Sequence, residues 1–124
     1  MTPLLDTVRT ALTTAGVVTA DWPCYIGYAP DDDGRYVTLI STGGFAQDTH
    51  DSRNRLPTFQ VSVRAGMLEH AECTAKIEAA RAALENVVDL TEVRLLHAMG
   101  EPLQWNDALN RTVMSLNFRA VVDA

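Results

Sequence analysis

Asp48-Thr49-His50-Asp51 places three oxygen or nitrogen donors of the kind that bind divalent metals within four consecutive positions. Adjacent ligands in a stretch without periodicity are not preorganised, and no second cluster completes a coordination shell. Asp31-Asp32-Asp33-Gly34 has the outline of a calcium loop. Counted from Asp31, however, the twelfth position is Thr42, where a bidentate glutamate is needed. Gly43-Gly44 leads into neither a helix nor a Gly-Lys-Ser/Thr run, so it cannot cradle a phosphate. Cys24 and Cys73 stand too far apart for a metal spacing, and neither has the context of an activated nucleophile. His70 and His97 read as surface and packing histidines. The residues predict no catalytic group, no metal and no cofactor: not an enzyme.

Composition narrows the classes further. With 124 residues, 47% hydrophobic and 21% charged, the chain is long enough for one core and short of two, so residues 1–124 read as a single domain. No apolar run approaches the roughly 18 residues that cross a bilayer, and the first residues lack the charged-then-apolar order of an export signal. The expectation is a protein that contacts no membrane and stays in the cytoplasm where it is made, its two thiols reduced, Cys73 in the core and Cys24 half-buried. A net charge of −6 opposes a nucleic-acid clamp, which needs lysine and arginine against phosphates. It does not oppose a surface past which DNA slides.

The elements that must position any site are organised around residues 56–88. Phe59, Val61 and Val63 alternate with Thr58, Gln60, Ser62 and Arg64, the period of a half-buried strand. After Gly66 the period changes: Cys73, Ile77, Ala80, Leu84 and Val87 or Val88 form one helical stripe, with six alanines between 71 and 83 keeping the helix slim. Glu72 with Lys76, and more weakly Arg81 with Glu85, are expected to pair on its solvated side.

Elsewhere, Thr2-Pro3 predicts an N-cap and first turn, Val8 and Leu12 an apolar stripe, and Gly16 a left-handed stop. Residues 17–29 read as a structured loop around Trp22-Pro23, 30–34 as a turn, and 35–42 as a strand ended by Gly43-Gly44. Residues 45–55 are aperiodic and charged, a long exposed loop of the kind that meets a partner. Strands follow over 92–99 and 110–122; in the last, Thr112, Met114, Leu116, Phe118 and Ala120 face the core. The fold class is α+β: about four strands, mostly antiparallel, with two helices packed on one face. The other face, with Gln60, Ser62, Ser115 and Asn117, suits solvent or another subunit. Trp22 and Trp105 fall in loops, each either local core cover or an interface anchor.

The ordered residues carry a resemblance. Trp22-Pro23-x-Tyr25-Ile26, Pro30-Asp31, the strand ending in Gly43-Gly44, Pro57-x-Phe59-Gln60-Val61-x-Val63-Arg64-Ala65, and Asp107-x-x-Asn110-Arg111-x-x-Met114-Ser115-Leu116-Asn117-Phe118 resemble the minor capsid or tail terminator proteins of tailed bacteriophages. Where that family has glycine in the last turn this chain has Asn110, the next best residue for a positive φ. The resemblance implies a virion protein at the head–tail junction, assembled in the bacterial host cytoplasm. It would be a homo-oligomer, a hexameric ring that caps the tail tube protein, stops its polymerisation and joins a head-completion or connector protein. Six copies at −6 would carry roughly −36, and an acidic lumen would pass genomic DNA without binding it. Subunit contacts are expected from Arg64, Gln60, Arg111, Asn117 and Arg119, and tube or connector contacts from Asp48, His50, Asp51, Arg53, Arg55 and Trp105. A head-completion protein is the nearest alternative, and a small-ligand-binding α+β domain a more distant one.

Overall fold

The computed structural model describes residues 3–32, 34–45, 54–85 and 93–123. In chain order the elements are α1 (Leu4–Thr14), β1 (Cys24–Ile26), β2 (Tyr36–Phe45), β3 (Asn54–Arg64), α2 (His70–Leu84), β4 (Val93–Ala98), β5 (Leu103–Asn106) and β6 (Thr112–Asp123). The class is the expected α+β, with a sheet of six described strands rather than about four. The two additions are short. β1 arises inside the predicted structured loop and runs parallel to β2; β5 arises where Trp105 was expected in a loop and pairs antiparallel with β6. Three or four residues carry too little periodicity to declare a strand, and both of these are held by the longer neighbour that supplies their hydrogen bonds.

α1 starts directly after Pro3, which occupies the capping position itself, so the expected Thr2 cap lies outside the described residues. At the other end Gly16 has φ +81°. Its amide donates to Thr13 O (3.1 Å) and that of Val17 to Leu12 O (2.9 Å), the paired bonds of a Schellman stop. Val8 and Leu12 are fully buried, as are Cys73, Ile77, Ala80 and Leu84 along α2. The α2 stripe ends there; Val87 and Val88 lie outside the described residues.

β3 and β6 form the centre of the sheet, in the order β1-β2-β3-β6-β4, with β5 on the same side of β6 as β4. Both helices contribute to one core with Val37, Leu39, Phe59, Val61, Val63, Leu116 and Phe118, so both lie on one face. Phe59 and Phe118 sit opposite each other in the register and stack, centroids 5.4 Å apart. Gly43-Gly44 does not end β2 as expected. Gly43 at φ +93° makes a bulge after Ser41, and pairing continues through Gly43/Thr58, Gly44/Pro57 and Phe45/Leu56. The predicted loop 45–55 is therefore trimmed by strand at both ends, and Arg55 belongs to β3, opposite Val122. Among the described residues no helix is long and apolar enough to cross a membrane.

Candidate functional site

On the helix-free face, Arg64 at the end of β3 and Arg111 just before β6 converge on Asp31, Asp32 and Gly34. Arg64 Nη2 donates to Asp32 O (3.0 Å) and Gly34 O (3.3 Å), and its guanidinium lies 4.8 Å from the centroid of the Tyr36 ring. Arg111 Nη1 donates to the same Asp32 O (2.5 Å), its Nε to Asp107 Oδ2 (2.7 Å) and its Nη2 to Asp31 Oδ1 (3.4 Å). Both guanidinium side chains are only 11% exposed. Arg111, expected like Arg64 to contact a neighbouring subunit, uses all three of its guanidinium nitrogens inside its own chain, whereas Arg64 bonds through Nη2 and its buried Nε has no partner among the described residues. Two strand ends thereby clasp a turn 30 to 80 positions away in sequence.

The clasp's titration follows from these contacts. The Tyr36 hydroxyl donates to Asp32 Oδ1 (2.6 Å), and the Gly34 amide to the same oxygen (2.8 Å); these bonds hold the Asp32 carboxyl below its usual range. The same hydrogen bond raises the Tyr36 phenol. For Asp107 burial pushes upward, but the amides of Arg111 and Leu109 and the Arg111 side chain outweigh it, and the carboxyl lies below its usual value. Asp32 thus accepts from tyrosine and backbone donors, while the exposed Asp31 carboxylate meets Arg111 Nη2. Among the described residues no three metal-type side chains gather.

Gln60 and Asn117 face each other across β3 and β6, Gln60 Nε2 donating to Asn117 Oδ1 at 3.4 Å. Arg119 is half-buried two positions further on, opposite Thr58 and His97. Ser115 is 4% exposed, so this face is less open than its polar composition suggests. Asp48, His50, Asp51 and Arg53 lie outside the described residues.

The two tryptophans separate. Trp22 is buried between two cations, with the Arg35 guanidinium and Lys76 Nζ each 5.2 Å from its ring centroid. Arg35 is in turn ion-paired with Glu69, whose Oε1 also accepts from the Gly66 amide (2.6 Å). Lys76 donates to Val17 O (2.9 Å), and burial lowers its pKa; the expected pair with Glu72 does not form because α2 turns Lys76 toward Trp22. The weaker pair does form, Arg81 to Glu85 at 3.7 Å, with Glu101 joining Arg81 at 2.5 Å. Trp105 is instead 40% exposed on β5, next to Leu103 at 66%.

A cleft of about 320 Å³ opens beside β5, lined by Met67, Leu68, His70, Gln104, Asn106, Asn110 and Thr112. Leu68 (φ 64°) and Asn110 (φ 59°), the non-glycine residues with positive φ among those described, both line it. Asn110 closes the β5–β6 turn as its residue type predicts: its amide donates to Asp107 O (2.9 Å). Leu68 was not foreseen, since a leucine 93% exposed in the left-handed region carries no sequence signal.

Comparison with known proteins adds what the geometry alone does not. The family model described as bacteriophage tail terminator protein matches residues 11–124. A solved chain from the virion of a native gene transfer agent particle shares 18% identity, with a TM-score of 0.68 over 98% of this chain and 95% of that one. A second solved structure, which carries no functional description, aligns at 18% identity and a TM-score of 0.55 over 94% of each chain. At that identity the two likenesses speak to the fold alone. No curated protein sequence matches.

Proposed function

The chain belongs to the bacteriophage tail terminator family, a structural and non-enzymatic component of the virion tail, and from that premise we propose that it closes into a ring, hexameric by the family resemblance, on the finished tail tube. Occupying the growing end stops polymerisation, and the opposite surface of the ring then receives the head-completion or connector protein. The family match over residues 11–124 carries this reading and favours a terminator over a head-completion protein.

The physics of the chain supports it. A ring needs two non-identical surfaces that meet head to tail. Here the helices cover one sheet face and leave Gln60, Asn117 and Arg119 on the other, a polar surface assigned to subunit contacts together with the sheet's two unlike edges. Arg64 and Arg111 serve the ring indirectly by fixing the turn at 31–34 beside that face. Asp48, His50, Asp51, Arg53 and Arg55 are assigned to the tube or connector; Trp105, expected with them, is given instead to a contact between copies because it stands on the edge strand β5. The net charge of −6 per chain gives the lumen a sign that repels the passing genome.

Electron microscopy of particles lacking the gene tests the central step. Abnormally long tails are expected; tails of normal length, or heads without stable tails, would remove the terminator role. Deleting residues 48–53 should leave the fold intact by circular dichroism and impair head joining. Normal virions from that deletion would clear the segment of the role.

A further inference from the structure

Each edge of the sheet carries a short strand, and the two lie at the same height. The pairing registers link Leu103 to Ser115, Ser115 to Ser62, Ser62 to Thr38, and Thr38 to Tyr25, one straight row from β5 to β1. Their outward backbone groups match as well. The Asp107 amide donates to Arg111 O (3.1 Å), while Thr112 O accepts from the Ala65 amide on the β3 side (2.9 Å). By the alternation of an antiparallel ladder, Trp105 then bonds toward β6, and Gln104 and Asn106 direct their N–H and C=O groups off the edge. On β1, Pro23 O accepts from Val37 N–H (2.9 Å) and Gly27 N–H donates to Leu39 O (2.8 Å). Tyr25 therefore bonds toward β2, and Cys24 and Ile26 point their backbone groups outward.

Resting on the ring reading above, we infer that neighbouring copies of this chain join edge to edge, β1 of one subunit adding antiparallel to β5 of the next with Tyr25 opposite Trp105, a stagger of two residues from its row partner Leu103. Direction, spacing and side-chain parity all agree. β1 runs with β6 and against β5, so a sheet continued around a ring brings them together antiparallel. Two outward-facing residues separated by one lie on each edge. In this register Cys24 meets Asn106 and Ile26 meets Gln104 on the helix side, while Tyr25 and Trp105 meet on the other. Exposed apolar side chains stand at both edges, Leu103 and Trp105 at one and Tyr28, whose ring packs on Tyr25, at the other. An exposed edge strand with large apolar side chains is otherwise a hazard that soluble proteins blunt with charge, and β5 contains none.

Cys24 makes the test direct. Within one chain β1 and β5 are four strand spacings apart, roughly 19 Å, so Cys24 cannot reach position 106 of its own chain. Asn106→Cys, oxidised as the full-length protein at high concentration and on tail tubes, should give a ladder of disulfide-linked multimers ending in a closed ring. Burial pushes the Cys24 thiol up to about 11, so an oxidation catalyst is used. Adding Cys24→Ser should abolish the ladder. Gln104→Pro, which removes one outward N–H, should weaken association at least tenfold with unchanged circular dichroism. Rings that assemble without the cross-link, or that ignore Gln104→Pro, overturn the edge pairing and leave the ring. A ladder that never closes keeps the pairing and overturns the ring. No association in either setting overturns both.

Discussion

Trp22 and Trp105 sit in sequence contexts that look alike, each beside a proline or a polar turn, yet the fold uses them in opposite ways. Trp22 is 7% exposed, roofed by Arg35 and Lys76, and closes the core where α1, α2 and β1 approach. Trp105 is 40% exposed on a strand that, among the described residues, pairs with β6 alone. A large aromatic buried under its own chain contributes to folding, whereas one left on an edge contributes to whatever covers that edge. The difference teaches where this molecule ends and its assembly begins.

That contrast can be broken by substitution. Trp22→Ala should cost about 3–5 kcal/mol in denaturant unfolding, as for other buried aromatics. A loss below about 1 kcal/mol would show that the two cations, not the ring, close that corner. Arg111→Ala, at the opposite side of the sheet, should cost about 2 kcal/mol through its lost bonds to the Asp107 carboxylate and the Asp32 carbonyl, which keep the Leu109 and Arg111 amides and Arg64 as donors. Trp105→Ala should shift the unfolding of the isolated chain by less than about 1 kcal/mol while lowering oligomerisation measured by sizing or native mass spectrometry. A large stability loss there would make Trp105 a core residue after all. Leu68→Gly should stabilise the isolated chain by up to about 1 kcal/mol, since glycine adopts φ 64° without the strain that leucine bears.

The clasp and the Trp22 corner also predict a pH profile. Asp32, Glu69 and Asp107 have folded pKa values below their ordinary ones, Glu69 chiefly through its bond from Arg35. A lowered carboxyl contributes stability that is present above the unfolded value of about 4 and is lost as pH falls through the folded value. Tyr36 is raised, so its contribution is present below about pH 10 and is lost as pH rises through the folded value. Thermal melts across pH should therefore fall off on both sides. Asp107→Asn should flatten the acid limb, and Tyr36→Phe the alkaline one.

Much of the fold was legible because the long elements repeat one rule many times. β3, β6 and α2 each carry three or more periodic apolar residues, and the structure buries those residues wherever it describes them. The Asn110 turn was legible because residue type answers directly to φ. β1 and β5 were not, since three or four residues cannot outvote their surroundings. The arginine clasp was not either: an arginine on the polar side of a strand reads the same whether its donors meet solvent, a neighbouring subunit or a turn 30 positions upstream.

By itself the sequence determined which apolar residues of the long elements leave water, because burial of apolar surface follows from local pattern and side-chain chemistry. It also settled the class of the fold, the sign of the charge and the family. Only the tertiary structure decided which polar groups are already used. Hydrogen bonds and ion pairs depend on angles and distances between segments remote in sequence, and these exist only once the sheet has set them side by side.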